Sequence, residues 1–158
     1  MIYKICTEKD SGILKKYLFE NKAEIIPSAV DQMYANEAAV GMRLERGMEI
    51  AVLAVEEEDG AVWGIISAIS PNMDNNWTII ALHVLERVRR QEIATELLQK
   101  LKAELLGRMD SVKCTASVMN YNKPAAACYL VNGFEYEGRI SAVEKEKEMS
   151  VFGAVFIK

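Results

Sequence analysis

Histidine occurs once in this 158-residue chain, at His83, and cysteine three times, at Cys6, Cys114 and Cys128. One imidazole and three widely spaced thiols offer no metal-ligand spacing, so no metal centre is expected. An odd number of cysteines in apolar surroundings reads as buried thiols rather than a disulfide framework. Basic residues are also scarce, since 19 Lys and Arg against 23 Asp and Glu leave a net charge of −4. A surface of that sign is unsuited to general nucleic-acid binding, which depends on neutralising phosphates, and would instead tolerate cationic partners. Nowhere do about 18 uncharged apolar residues run together. The first ten residues carry Lys4, Glu8, Lys9 and Asp10 where a signal peptide would need an apolar core. Neither a membrane span nor export is expected, and the cytoplasm follows by default. Repeats and low-complexity segments are lacking too. What remains, 51% hydrophobic and 27% charged, is the composition of a globular protein long enough for one well-buried domain over residues 1 to 158 and short for two.

The apolar residues that are present follow a pattern. Residues 2 to 6 alternate as a first strand, and Thr7 followed by Glu8 and Asp10 signals a helix start leading into Ile13, Leu14, Tyr17 and Leu18. After Pro27 and Ser28 a loosely helical period through Val30, Met33, Tyr34, Ala38, Met42 and Leu44 runs to Gly47, with polar interruptions that predict a bend or two shorter helices. Residues 50 to 55 and 61 to 69 are strand-like runs around Asp59-Gly60, a hairpin signal. Residues 70 to 76 form a loop that could overhang a site.

The chain is organised around residues 77 to 106. Residues 77 to 84, WTIIALHV, are apolar enough for a strand buried on both faces. Past the charged patch at 86 to 92, Ile93, Ala94, Leu97, Leu98, Leu101 and Leu105 make one helical stripe ending at Gly107. A helix with Arg89 and Arg90 in a basic first turn, its leading amides unpaired, is suited to hold an anion. Residues 111 to 118 read as the next strand, parallel to 77 to 84 because a helix-long crossover joins them. Two such strands can part at their C-terminal ends, where open α/β sheets take ligands. Asn122 and Pro124 then open a short helix that Gly133 terminates. Residues 134 to 140 and 149 to 157 complete the chain as strands, with a solvated charged turn at 144 to 148 between them.

Two motifs in fixed order resemble the GNAT superfamily of acyl-CoA-dependent N-acyltransferases. Val84 followed by Arg89-Arg90-Gln91-Glu92-Ile93-Ala94-Thr95-Glu96-Leu97-Leu98 is similar to the family's pyrophosphate loop, commonly R-R-x-G-I-A and a paired Leu. Asn122-x-x-Ala125-x-x-x-Tyr129-x-x-x-Gly133-Phe134 is similar to its N-x-x-A-x-x-x-Y-x-x-x-G-F signature. With the hairpin containing Gly64, the resemblance covers about residues 61 to 139. It implies an α/β (α+β) fold with a mixed, mainly antiparallel sheet of about six or seven strands, splayed at two central parallel strands, with helices on both faces.

Acyl transfer from a thioester to an amine needs a neutral amine, donors for the developing oxyanion and a proton for the departing thiolate. The resemblance implies acetyl-CoA as cofactor, a small-molecule or peptide amine as substrate, and direct attack in a ternary complex. A homodimer is compatible with it. Backbone amides near Leu82 and Val84 would hold the thioester and the pantetheine arm. Arg89, Arg90, Gln91, Glu92, Ile93, Ala94 and Thr95 would take the pyrophosphate, and Asn122 would contact the arm, cap its own helix, or do both. Tyr129 stands where the family has its proton donor, against the alternative of a core tyrosine. His83, on a buried strand, is either a packed ring or a base; the carboxylate that some relatives carry upstream has no counterpart in the region of Thr78, which leaves a base acting through water as the other route. The acceptor would sit opposite the cofactor, walled by the second helical region, the loop at 70 to 76 and the C-terminal strands.

Glu92 departs from the family, which has Gly there so that the backbone can approach a doubly charged pyrophosphate. Two functions follow. One is an active N-acetyltransferase whose arginines and helix amides outweigh the carboxylate. The other is a degenerate, non-catalytic domain in which Glu92 fills the anion site while the fold binds a ligand or partner. Glu92→Gly is expected to tighten coenzyme A binding and, because Gly is unfavourable in a helix, to lower the stability of the free protein slightly.

Overall fold

In the computed structural model the chain folds as β1 (Ile2–Ile5), α1 (Ser11–Asn21), α2 (Pro27–Tyr34), α3 (Glu37–Glu45), β2 (Glu49–Val55), β3 (Val62–Ile69), β4 (Asn76–Val84), α4 (Ile93–Arg108), β5 (Ser111–Met119), α5 (Lys123–Val131), β6 (Glu135–Ile140) and β7 (Met149–Ile157). The described residues are 1 to 158 for the backbone and all of these but Arg89, Arg90 and Gln91 for the side chains. Seven strands form one sheet in the order β1-β2-β3-β4-β5-β7-β6. Only β4 and β5 run parallel, and every other neighbouring pair is antiparallel.

Both faces of the sheet are covered, which is why β2 and β3 read as unbroken apolar runs. Successive residues of β2 alternate between two cores. Ile50, Val52 and Ala54 pack with Leu97, Leu101 and Leu105 of α4, while Ala51 and Leu53 pack with Leu14, Leu18, Val30 and Val40 of α1 to α3. Leu97, Leu98, Leu101 and Leu105 are almost entirely removed from water, which stabilises the fold by about 1.5 to 3 kcal/mol for each side chain.

The interrupted second helical region is two helices, because Asn36 adopts an extended backbone and its side chain accepts from the Ala39 amide at 3.2 Å, capping α3. Two expected boundaries move. Gly107 lies inside α4, which ends at Arg108 with Met109 as its C-cap. Arg89 and Arg90 precede α4, in a 3-10 turn spanning Glu86–Gln91, so the first turn of the helix proper holds Ile93, Ala94, Thr95 and Glu96 and is not basic. No helix among the described residues is long and apolar enough to cross a membrane.

Candidate active site

The parallel pairing of β4 with β5 runs only from Asn76↔Lys113 to Ile79↔Ala116. Beyond it both strands continue but part. The cause lies in β4: Ser67 of β3 pairs with Ala81 and Ala68 with Ile79, so Ile80 is an extra residue, a bulge that re-aims the strand. After the bulge, the Leu85 amide donates to the Trp63 carbonyl at 2.9 Å. The two-residue alternation of a strand therefore turns the backbone groups of Leu82 and Val84 the other way, towards the gap. Gly64 allows this end of the sheet to pack tightly. A Cβ there would stand 3.1 Å from the His83 carbonyl oxygen, from Leu97 Cδ1 and from Val84 Cγ2.

A cavity of about 250 Å3 opens between the end of β4, the start of α4 and α5. Its walls are largely apolar, with Leu82, Val84, Ala94, Pro124, Ala125 and Val131 among them, and Glu92, Thr95 and Asn122 supply polar atoms. This shape suits an extended, mostly apolar arm that ends in an anion at the α4 N-terminus. A second, much smaller cavity shares Leu82, Asn122 and Ala125 with it and reaches inward to Tyr129, between Ile80 of β4 and residues 117 to 119 of β5.

Leu82, Val84, Glu92, Ala94, Thr95 and Asn122 are thus brought together around one cleft, as the motifs imply. Ile93 is buried at the base of α4 and serves the core. The readings of Arg89, Arg90 and Gln91 as pyrophosphate contacts fall on side chains outside the described residues. Asn122 has two structural roles, its Oδ1 accepting from the Ala125 amide at 3.3 Å and its Nδ2 donating to the Glu24 carbonyl at 3.0 Å.

Glu92 is where the local geometry departs from expectation. It is the N-cap of α4 with φ 59° and ψ 21°, left-handed, and its side chain makes no capping hydrogen bond. That backbone is comfortable for glycine and costs other residues roughly 1 to 2 kcal/mol. Close approach of a phosphate is therefore only one reason for glycine here; a second is conformational. Glu92 is the N-cap and lies outside the helix interior, so the premise of a stability loss on Glu92→Gly does not hold and a gain is expected instead.

Tyr129 is buried against Phe134 and Phe152, with ring centroids 5.0 and 6.1 Å away. Burial, aided by the neighbouring thiols of Cys128 and Cys114, pushes its phenol well above the ordinary range. It stays protonated near neutral pH, so the hydroxyl can serve as a hydrogen-bond donor and not as a base, while the same burial opposes release of its proton. Cys6 and Cys114 are buried, burial pushing the Cys114 thiol up to about 12. Cys128 corrects the expectation for the three thiols, being only partly buried and lining the larger cavity.

His83 faces the α1 side of the sheet. It is 4% exposed, its Nδ1 2.8 Å from the Tyr17 hydroxyl and its Nε2 3.4 Å from the Glu24 carboxylate. Thr78 is exposed near the start of β4. The loop at 70 to 76 enters β4 at Asn76, roughly 13 Å along the strand from Ile80 at about 3.3 Å per residue, and the smaller cavity beside Ile80 is lined by Ile25 and Ile26. These two residues carry no motif, and only their position in an apolar pair before Pro27 hinted at burial.

Residues 23–134 match the Acetyltransferase (GNAT) family model. No curated protein matches the chain. Among solved structures it is similar to an acetyltransferase of the GNAT family from Streptococcus pneumoniae, with TM-score 0.75, 16% identity and 98% of each chain covered. It is similar to an aminoglycoside 6'-N-acetyltransferase complexed with coenzyme A, with TM-score 0.75, 18% identity, and 100% of this chain and 98% of that one covered. A ribosomal-protein-alanine N-acetyltransferase from Brucella melitensis aligns with TM-score 0.70 at 18% identity, over 99% of this chain and 100% of that one. At such identities the likeness is one of fold.

Proposed function

Because the chain belongs to the acetyltransferase (GNAT) family, we propose that it is an N-acetyltransferase transferring an acetyl group from acetyl-CoA to a primary amine by direct attack, with both substrates bound. The observation that carries this reading is the parting of β4 from β5 after Ile79, which opens a strand edge leading from the start of α4 to Tyr129. Acetyl-CoA supplies an activated thioester when bound.

The rest falls to the chain. Leu82 presents its backbone groups along the gap, so it can pair with the amides of a pantetheine arm as a further strand would and donate to an oxyanion where it develops, while Val84 continues the same edge towards α4. The amides of Ala94 and Thr95, unpaired within the helix, receive the pyrophosphate together with the charges of Arg89 and Arg90. Tyr129 delivers its proton to the leaving sulfur. The acceptor ammonium must lose a proton before it attacks. We assign that role to His83, reached from solvent through the half-exposed Glu24 carboxylate and held on its other side by Tyr17. The neighbours named above act on an aminoglycoside and on a ribosomal-protein alanine, which supports an amine acceptor as a class.

Glu92 favours a second reading. Glu92 is among the residues lining the cavity where the pyrophosphate would dock, as it would be in a domain that keeps the fold and transfers nothing. One experiment separates the two. Coenzyme A at 100 times its Kd should stabilise the folded protein by about 2.7 kcal/mol, and acetyl-CoA with a panel of primary amines should release free thiol. Stabilisation without thiol release for any amine would favour the second reading, and absence of both would sink the first.

A further inference from the structure

Residues 22 to 26 connect α1 to α2 and lie across the parted strands. They are tied down at the far side, where the Tyr121 hydroxyl donates to the Ala23 carbonyl and Asn122 Nδ2 to the Glu24 carbonyl, both at 3.0 Å. On the near side the Glu24 carboxylate meets His83 of β4 at 3.4 Å. The segment therefore bridges the β4 wall of the gap and the turn after β5. Beneath it Ile25 and Ile26 close the smaller cavity from above, Ile80 and Leu82 from β4, and Val118 and Met119 from β5.

We propose that this bridging segment is an acyl-length gauge, with Ile25 and Ile26 as the residues that limit the donor to a two-carbon acyl group. The inference rests on the N-acetyltransferase reading. The smaller cavity has a volume of about 10 Å3, room for about one water molecule, since roughly 10 to 15 Å3 is the least that holds one. An acetyl methyl fits such a space after slight adjustment, but each further methylene must displace a wall. The walls from β4 and β5 belong to the sheet, Leu82 being 8% exposed and Met119 7%, so the adjustable element is the segment bearing Ile25 and Ile26. Its position depends on the two tethers to residues 121 and 122. A single extra or missing methylene in a well-formed apolar pocket changes recognition by about 10- to 200-fold.

The test is calorimetric binding of coenzyme A, acetyl-CoA, propionyl-CoA and butyryl-CoA, without acceptor, to the parent protein and two variants. Ile26→Ala enlarges the cavity at its lid. Tyr121→Phe, at a residue 50% exposed, removes one tether and leaves every apolar wall in place. The parent should bind propionyl-CoA about tenfold or more weaker than acetyl-CoA, and butyryl-CoA weaker still. Ile26→Ala should bring the acetyl and propionyl affinities to within about threefold, since one deleted wall makes room for the added methylene. Tyr121→Phe should shift the ratio the same way by a smaller factor. A parent that binds butyryl-CoA as tightly as acetyl-CoA would overturn the gauge while leaving the N-acetyltransferase reading intact, and so would variants that keep the parent's ratio. If coenzyme A binds neither parent nor variants, the reading fails and the gauge with it.

Discussion

Two glutamates near opposite ends of the sheet show how differently the same side chain is treated. Glu49 opens β2 beneath α2 and α3, its carboxylate fully enclosed, and it accepts from Arg43 Nε at 2.8 Å, the Tyr34 hydroxyl at 2.7 Å and Ser67 Oγ at 2.6 Å. Arg43 is fixed further by donating to the Met33 carbonyl. Burial first, and then the adjacent Glu49 charge, raises the Tyr34 phenol well above its ordinary value, so it remains a donor. Glu92 at the start of α4 is exposed, left-handed, and without a capping hydrogen bond. One end of the molecule satisfies its charge at the expense of freedom. The other leaves a charge and a backbone unrelaxed where a ligand is expected, as functional sites often do.

The largest expected effect concerns the open end. Tyr129→Phe removes only a hydroxyl, so turnover should fall about 10²- to 10⁴-fold, the range for loss of a general acid, with acetyl-CoA affinity nearly unchanged. Steady-state turnover beside calorimetric affinity checks this. Unchanged turnover with chemistry rate-limiting would make Tyr129 a core residue, and the two ends would then differ less.

Next is the closed end. Glu49→Ala leaves the partly buried Arg43 guanidinium without its counter-ion and the Tyr34 and Ser67 hydroxyls without their acceptor, and removal of one partner from a buried pair costs up to about 3 to 5 kcal/mol. Denaturant unfolding of the variant measures it. A loss below about 1 kcal/mol, the value of an exposed pair, would mean that water reaches the cluster.

Glu92→Gly should act in the opposite direction. Relief of the left-handed strain should stabilise the free protein by roughly 1 kcal/mol, and loss of the carboxylate should tighten coenzyme A binding. Stability and affinity are separate readouts: unchanged stability would deny the conformational strain, and unchanged affinity would show the carboxylate turned away from the phosphates. The smallest effect is expected for Arg89→Ala with Arg90→Ala. If each arginine acts as a screened charge contact worth about 0.2 to 1 kcal/mol, coenzyme A binding should weaken modestly at low salt, and its salt dependence should flatten. Equal binding at low salt would assign the pair to solvation alone.

Much of this was legible in the chain. The apolar runs of β2 to β4, the Asp59-Gly60 turn, the α4 stripe and the Asn122 cap are local patterns, and each element forms where its pattern lies. The cleft could be named as well, because the motifs place Leu82, Val84, Thr95 and Asn122 around it. What escaped was non-local. Ser67, Glu49 and Arg43 meet from two strands and a helix through contacts 6 to 18 residues apart in sequence, and no spacing rule marks them.

Sequence by itself determined the elements, their order and the identity of the departing residue, since periodicity, caps and turn residues act within a few positions of themselves. Tertiary structure alone decided that the extra residue of β4 is Ile80, that β4 and β5 part after Ile79, that Ile25 and Ile26 close the gap across nearly a hundred residues of chain, and that Glu92 is left-handed. Each of those depends on where one element is forced to meet another, because packing on both faces of a shared sheet constrains backbone and register together.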